Sequence, residues 1–323
     1  MLTIRLLSAL GAGRLARQFK WHALAAVVVA TAGCHSAPFA APMRIELNAQ
    51  PNAIAVRPGD GALFITDDHS NGILWSSNQS DFRPYASLPT IAGQPGSLSQ
   101  FVFIRPDALL VQRFGFGETG ALFAVSAAGE VHALTGPASD RRRLGLVSIG
   151  PGRALSSWFV KRGSEPPAGG VSLVSYELTT YTATERDIVT GLAKPVGIAV
   201  HDGTLFVTDQ SKGEILRYDL PELLAEPAPP QSSTVFARIE SPDLLAADGS
   251  GTLYTKCGAH GFCRIAQDGT VSRLADDFQD ARGVTIDEPR HLVLVIDRAK
   301  GASATTSAIR AFALASSDAS ADH

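Results

Sequence analysis

Between residues 194 and 220 the chain reads KPVGIAVHDGTLFVTDQSKGEILRYDL, and its apolar positions fall in three short runs, at 196–200, 204–207 and 215–218. The runs are rich in β-branched and aromatic residues, and the turn-formers His201-Asp202-Gly203 and Gln210-Ser211-Lys212-Gly213 separate them. This pattern predicts an antiparallel meander. Asp202-Gly203 suits a tight hairpin, because glycine tolerates positive φ without steric cost. No run is long enough for a helix with one buried face. A single meander leaves both faces open to water, so copies of it are expected to recur and pack together.

They recur along the chain. Residues 51–77 read PNAIAVRPGDGALFITDDHSNGILWSS, with the same order of Pro, apolar run, Asp-Gly, apolar run and Thr-Asp. Residues 241–269 read SPDLLAADGSGTLYTKCGAHGFCRIAQDG. Residues 281–301 read ARGVTIDEPRHLVLVIDRAKG, followed by a Ser/Thr-rich turn and AIRAFAL. Two divergent copies occupy residues 94–131 and 144–178. With Pro51, Pro95, Leu146, Pro195, Pro242 and Arg282 as equivalent positions, the steps are about 44, 51, 49, 47 and 40 residues. Periods of this size with roughly four strands each indicate propeller blades. The expected fold is all-β: a six-bladed β-propeller of four-stranded antiparallel blades. Arg44-Ile45-Glu46-Leu47, upstream of the first unit, is expected to close the ring near residues 43–50 as the outer strand of the last blade, which removes an open sheet edge.

Pro195-Val196-Gly197-Ile198-Ala199-Val200, Asp202-Gly203, Leu205-Phe206-Val207-Thr208-Asp209 and Ile215-Leu216-Arg217-Tyr218 carry a resemblance to the NHL-repeat and SMP-30/gluconolactonase-like six-bladed β-propellers. The resemblance is strongest in the first and fourth units and weakest in the third. It implies a fold more than a chemistry, since one architecture hosts many unrelated functions. It also implies, for lactonases of this type, a divalent metal held by Glu, Asn and Asp on the inner strands. Here no Glu stands near Pro51-Asn52-Ala53 and no Asn near Lys194-Pro195-Val196, and Asn52 alone is not a ligand set. No cofactor is therefore expected, with calcium or zinc implied only if the chain is an enzyme of that kind.

Composition adds little to the fold. The 323 residues are 45% hydrophobic and 18% charged, and 30 Gly and 19 Pro suit a chain of many turns. The start of the chain is different. Arg5, Arg14, Arg17 and Lys20 precede an apolar run at residues 23–32, a pattern expected of an export signal over residues 1–33. Ala32-Gly33-Cys34 resembles a bacterial lipobox, with Thr31 where Leu is usual, and implies acylation of Cys34. Ordinary cleavage beside an incidental cysteine is the alternative. The expected layout is thus signal (1–33), linker (34–42), propeller (43–315) and a polar tail (316–323), in an exported, periplasmic or outer-membrane-associated monomer held to the membrane only by lipid.

Three cysteines leave two after Cys34, and Cys257 and Cys263 sit in one loop, so a local disulfide is expected. His260 between them raises a metal site as the alternative, but five residues between two thiols do not match zinc spacing. Loss of the four positive charges of residues 1–33 takes the formal net charge from −3 to about −7, which argues against nucleic-acid binding.

In propellers of this kind the loops between second and third strands gather on one face, around the central channel. Here they carry Asp67, Asp68 and His69; Arg113, Phe114 and Phe116; Lys161 and Arg162; Asp209 and Lys212; Lys256 and His260; and Asp297 and Arg298. Five of the six bear Lys or Arg in an acidic chain, so a cationic rim that attracts a carboxylate or phosphate is one reading. The other is that these side chains simply occupy solvent-facing loops. Asp67, Asp209 and Asp297 recur at the end of the second strand, where a carboxylate can accept bonds from loop N–H groups. Asp68 with His69 could act as base or ligand, or be polar surface. Arg113-Phe114-Gly115-Phe116-Gly117 could line a pocket or plug the channel. The insertions at 164–170 and 220–233 offer partner contacts or mere loop tolerance. No nucleophile elbow or zinc-protease motif is present. The expected function is binding of a small, possibly anionic, ligand or an envelope protein at this loop face; the alternative is a metal-dependent lactonase, esterase or lyase.

Overall fold

A computed structural model of the chain describes residues 43–227, 231–300 and 306–314. The expected signal, Cys34, the linker to residue 42 and the tail at 316–323 lie outside the described residues. Strand β1 (Arg44–Leu47) comes first, and the first blade follows as β2 (Ile54–Val56), β3 (Leu63–Asp67), β4 (Gly72–Ser76) and β5 (Arg83–Ser87). The second blade is β6 (Leu98–Arg105), β7 (Ala108–Arg113), β8 (Ala121–Ser126) and β9 (Val131–Ala133). The third is β10 (Arg142–Gly150), β11 (Arg153–Val160), β12 (Ala168–Glu177) and β13 (Thr182–Leu192). The fourth is β14 (Pro195–His201), β15 (Thr204–Asp209), β16 (Glu214–Asp219) and β17 (Thr234–Arg238), with a short helix α1 (Leu220–Leu224) before its outer strand. The fifth is β18 (Leu245–Ala247), β19 (Leu253–Cys257), β20 (Gly261–Ile265) and β21 (Val271–Ala275). The last blade is β22 (Ala281–Asp287), β23 (Leu292–Asp297) and β24 (Ser307–Ala313), completed by β1.

The closure expected from the sequence is present. β1 runs antiparallel to β24, from Arg44 opposite Arg310 to Leu47 opposite Ser307. All six sheets are antiparallel and four-stranded, five of them in chain order and the last completed by β1, which makes the molecule a six-bladed β-propeller.

Why the blades pack as a ring follows from the strand period of two. Along β15, Leu205 and Val207 enter an apolar cluster with Leu155, Val171 and Val189 of the third blade. Phe206, between them, enters a different cluster with Leu245 and Leu253 of the fifth. Both faces of the central strands are therefore apolar, as in any sheet buried on two sides. Six clusters result, one at each junction of neighbouring blades. Aromatic rings wedge several of them: Phe64 meets Tyr85 and Phe103 edge-on, at 4.9 and 5.0 Å between centroids.

Toward the axis the inner strands approach too closely for side chains. A Cβ on Gly145 would collide with the carbonyl oxygen of Val196, one on Gly197 with that of Asp243, and one on Gly283 with the backbone of Ala53. Hydroxyls bridge the same strands. Ser157 Oγ accepts from Gly145 N (2.7 Å) and donates to Val196 O (2.6 Å); Thr208 Oγ1 accepts from Gly197 N (2.7 Å) and donates to Asp243 O (3.0 Å). Thr208 thus ties the fourth blade to the fifth, and Ser157 the third to the fourth.

The third blade, the least recognisable in sequence, holds charge inside. Arg143 is fully buried and pairs with Glu185 through two bonds of 2.5 and 2.9 Å, while Arg141 grips Asp187 at 2.7 and 3.0 Å and stacks on Trp158. The disulfide expected between Cys257 and Cys263 is formed, across the turn from β19 to β20. Among the described residues no helix is long and apolar enough to cross a membrane.

Candidate functional site

The inner strands begin on the face where the loops from second to third strand end. On that face lies a cavity of about 420 Å3, whose lining includes Asn52, Asp68, Leu98, Phe114, Phe116, Leu144, Leu244, Arg282 and Arg298. Its size is that of a small-molecule site.

Two local features aim side chains into it. First, β6, β10, β14 and β22 each break register with their neighbour just inside the first residue, between Leu98 and Phe101, Arg143 and Leu146, Pro195 and Ile198, and Ala281 and Val284. Such bulges free a residue from the ladder and redirect it, and Ser99, Leu144 and Arg282 of these stretches line the cavity. Second, the carboxylates that end β3, β15 and β23 hold the chain entering each inner strand. Asp67 accepts from Gln50 N (2.8 Å), Ser70 N (3.0 Å) and Ser70 Oγ (2.7 Å); Asp209 from Ala193 N (2.9 Å) and Lys194 N (3.0 Å); Asp297 from Gln279 N (2.7 Å). All three are buried and none is among the residues that line the cavity; Asp297 also pairs with Arg44 at 3.2 Å.

The remaining candidates from the loops separate into two groups. Asp68, Phe114, Phe116 and Arg298 line the cavity. His69, Lys161, Arg162, Lys212 and His260 are exposed; Arg162 lies 3.5 Å from Asp140, and His260 Nδ1 is bonded to Phe278 O at 2.7 Å. Arg113 is taken up by carbonyls, Thr119 O at 2.8 Å and Pro89 O at 3.1 Å, and burial holds its pKa below the usual arginine value. Lys256 is paired with Asp280 at 2.5 Å.

Further charges stand at the start of the inner strands or just before them. Arg142 and Lys194 stand three residues before Gly145 and Gly197, and Asp280 three before Gly283. Because Arg141 and Arg143 turn to the acids of β13, strand alternation sends Arg142 the other way. Its guanidinium lies over three rings, 5.5 Å from the centroid of Phe114, 5.8 Å from Phe116 and 5.7 Å from Phe159. Lys194 Nζ lies 5.9 Å from the same Phe159 ring and donates to Gln210 Oε1 at 2.6 Å. Among the described residues no carboxylate bonds either cation. Burial, with the positive charges of Arg282 and Arg142 nearby, pushes the Lys194 ammonium below its ordinary pKa, against the pull of Asp243.

Opposite, Arg282 bridges two buried acids, Asp280 at 2.8 Å and Asp243 at 3.2 Å. Burial works against its charge, but the two carboxylates outweigh it and raise its pKa. For Asp280 the desolvation that would raise its pKa is overcome by Arg282 and Lys256, so the carboxyl is held below 3.8.

On the seam between last and first blades, Arg298 donates to Gln50 Oε1 (3.1 Å), to Asn52 Oδ1 and to Asp68 Oδ2 (2.8 Å). Asn52 Nδ2 in turn donates to Asp68 Oδ2 (2.9 Å) and Leu98 O (2.8 Å). Burial nonetheless pushes the Asp68 carboxyl above its usual pKa, outweighing the guanidinium beside it. A divalent ion of the kind the family resemblance implies needs several carboxylate or carbonyl oxygens free to converge. The oxygens that converge here surround a guanidinium, and among the described residues no three His, Cys, Asp or Glu side chains come together. The residues present do not fit that ion.

No family model and no curated protein matches the chain. Solved structures do. A gluconolactonase from Xanthomonas campestris superposes with a TM-score of 0.65 over 84% of this chain and 90% of its own, at 13% identity. A luciferin-regenerating enzyme gives 0.62 over 85% and 96%, at 11% identity. Virginiamycin B lyase from Staphylococcus aureus gives 0.57 over 85% and 99%, at 15% identity. At these identities the likeness extends to architecture, and the chain is a six-bladed β-propeller of the fold found in gluconolactonase-like proteins and virginiamycin B lyase.

Proposed function

We propose that the chain binds a small organic anion, a carboxylate with an apolar body, in the channel mouth. The observation that carries this reading is the pair Arg142 and Lys194, two cations over one aromatic ring, with no carboxylate bonded to either among the described residues. Cations crowded in a partly desolvated site repel one another, and an anion relieves the repulsion. Phe114, Phe116, Leu98, Leu144 and Leu244 supply the apolar wall for the rest of the ligand. Arg282 and Arg298 balance Asp68 and Asp243 in the cavity lining, and Arg142, over the lining rings of Phe114 and Phe116, and Lys194 beside Phe159 add positive charge next to it. The local balance is positive in an acidic protein, so the field is focused where the cavity opens.

The test is calorimetric titration of the purified chain with phenylacetate, hexanoate and the neutral phenylacetamide. Saturable binding of the carboxylates but not the amide is expected; equal binding of acid and amide, or none by any probe, removes the reading.

A second reading, a hydrolase or lyase, draws on the gluconolactonase and lyase among the structural neighbours and on Asp68, a carboxyl of raised pKa in the cavity lining. Turnover of a lactone and ester panel, lost in Asp68→Asn, would favour it. Export and acylation at Cys34 belong to the same proposal: Cys34→Ser is expected to move the protein from the membrane to the soluble fraction. A Cys34→Ser chain still sedimenting with membranes would rule out the lipid anchor.

A further inference from the structure

We propose that the disulfide-closed turn of the fifth blade is a redox control on the channel mouth: it holds Lys256 on Asp280, and through that pair it sets Arg282 at the cavity. The effect on anion capture rests on the carboxylate reading of the mouth; the positioning of Arg282 does not.

The contacts run without a break from the disulfide to the cavity. Cys257 and Cys263 are joined across the turn from β19 to β20. Lys256, the residue before the first cysteine, reaches Asp280 Oδ1 at 2.5 Å, with 12 and 4% of the two side chains exposed. Asp280 Oδ2 accepts from Arg282 Nε at 2.8 Å. Arg282 Nη1 donates to Asp243 Oδ2 at 3.2 Å, whereas Nη2 has no acceptor among the described residues. Arg282 lines the cavity, so its guanidinium keeps donors for a ligand there.

The turn is also fastened to the segment that carries Asp280. His260 O accepts from Phe278 N at 3.0 Å, and His260 Nδ1 is bonded to Phe278 O at 2.7 Å. The rings of Phe262 and Phe278 lie 5.8 Å apart. A shift of the turn is therefore passed to residues 278–280, two positions before Arg282. An ion pair this deep is little screened, and withdrawing the lysine leaves a buried carboxylate facing Arg282 alone. The mouth then loses one positive charge, and an anion in the cavity is held less well.

The two cysteines are buried, but both line a surface groove of about 310 Å3 shared with Arg238, Glu240 and Arg273. Guanidinium groups beside a cysteine favour its thiolate, the form in which it leaves. The reductant is a dithiol. Its first thiolate attacks one sulfur and expels the other cysteine as a thiolate, and its second closes on the mixed disulfide. Two electrons and two protons pass to the protein, Cys257 and Cys263 end as thiols, and the dithiol ends as a cyclic disulfide.

The experiment compares the full chain before and after treatment with dithiothreitol, with alkylation and mass analysis to follow Cys257 and Cys263. Phenylacetate affinity is measured by calorimetry. Exchange of the Arg282 Nε–H proton is measured by NMR on chain with labelled arginine, and Arg298 Nε–H, bonded to Gln50 Oε1, is the internal control. Reduction is expected to speed the Arg282 exchange at least about fivefold, as local opening does, and to leave Arg298 unchanged. It is expected to weaken phenylacetate binding roughly three- to tenfold, the effect of one partly screened charge. Lys256→Met should reproduce both changes with the disulfide intact and remove the response to dithiothreitol, and Lys256→Arg should restore it. Equal Arg282 exchange in the oxidised and reduced wild-type chains overturns the proposal, and this comparison needs no variant. A disulfide that dithiothreitol does not open in the folded chain overturns it too, as does phenylacetate binding of equal strength in both forms. If the Arg282 proton responds and neither form binds phenylacetate, the positioning stands and the carboxylate reading of the mouth fails.

Discussion

Arg142 and Lys194 face the same ring, Phe159, at 5.7 and 5.9 Å from its centroid, and they reach it from the first residue of β10 and the residue before β14, in two consecutive blades. The ring's π-face partly compensates each charge. It cannot compensate their mutual repulsion, and Asp243, the acid whose charge acts on Lys194, is already bonded to Arg282. The arrangement costs the protein alone, and under the proposed function a bound anion would relieve it.

Replacing either cation should therefore separate binding from stability. Arg142→Ala and Lys194→Met are each expected to weaken phenylacetate binding by roughly tenfold or more, the worth of one charge-assisted hydrogen bond. Neither should lower the melting temperature, and Lys194→Met should raise it, because the ammonium is held below its ordinary pKa by burial. Titration calorimetry and thermal melts on the same samples check both halves.

The acid cluster behind Arg282 should make stability fall in acid. Asp280 is buried, and its carboxyl is held below 3.8 by Arg282 and Lys256. Its contribution is complete above that ordinary value and is lost as pH falls from it through the lowered folded-state value, where the native carboxylate finally takes a proton. Asp280→Asn should lose about 2 kcal/mol at neutral pH and show a flatter decline in acid. Urea unfolding from pH 7 down to pH 3 measures the difference.

Gly197 sets how closely the fourth and fifth blades meet at the axis. A methyl group there would strike the Asp243 carbonyl oxygen and crowd Leu245, both on a backbone that Thr208 and Thr255 hold in place. Gly197→Ala is expected to cost about 1–3 kcal/mol, the usual penalty of overpacking a filled site. A denaturation midpoint unchanged from wild type would show that the inner strands can spread.

The disulfide between Cys257 and Cys263 closes a short loop. In the chain-entropy account such a loop contributes about 2 kcal/mol. The double variant Cys257→Ser, Cys263→Ser should lose that amount, and the wild-type chain should match it in reducing buffer. The same variant should show faster amide exchange at residues 256–262, where Lys256 and His260 hold Asp280 and Phe278.

Buried charge in the third blade gives a sharper test of the fold. Arg143 is fully buried, and Glu185 supplies two of its bonds. Glu185→Ala leaves a guanidinium inside the blade without its counter-charge and should cost about 3–5 kcal/mol, far above a surface substitution. Urea unfolding would register a small loss if water can reach Arg143.

The strand runs, the hairpin glycines, the number of blades, the closing role of residues 44–47 and the cysteine pairing were all legible in the sequence, because each depends on local patterning that repeats. Period-two alternation and Asp-Gly turns act over a few residues, and Thr-Asp marks where the second strand ends in the first and fourth blades. The site was legible only in part. Asp68, Phe114, Phe116 and Arg298 lay in the loops where it was sought, but Arg142 and Arg282 stand in the first two residues of the inner strands β10 and β22 and Lys194 just before β14, at the same face. Which of Arg141, Arg142 and Arg143 turns to the channel depends on where Glu185 and Asp187 sit on β13. Whether Arg298 is free or seated depends on oxygens more than 200 positions away. A chain carries its turn chemistry in neighbouring residues, but side chains from different blades converge only once the ring has closed, so the site's composition was decided in three dimensions.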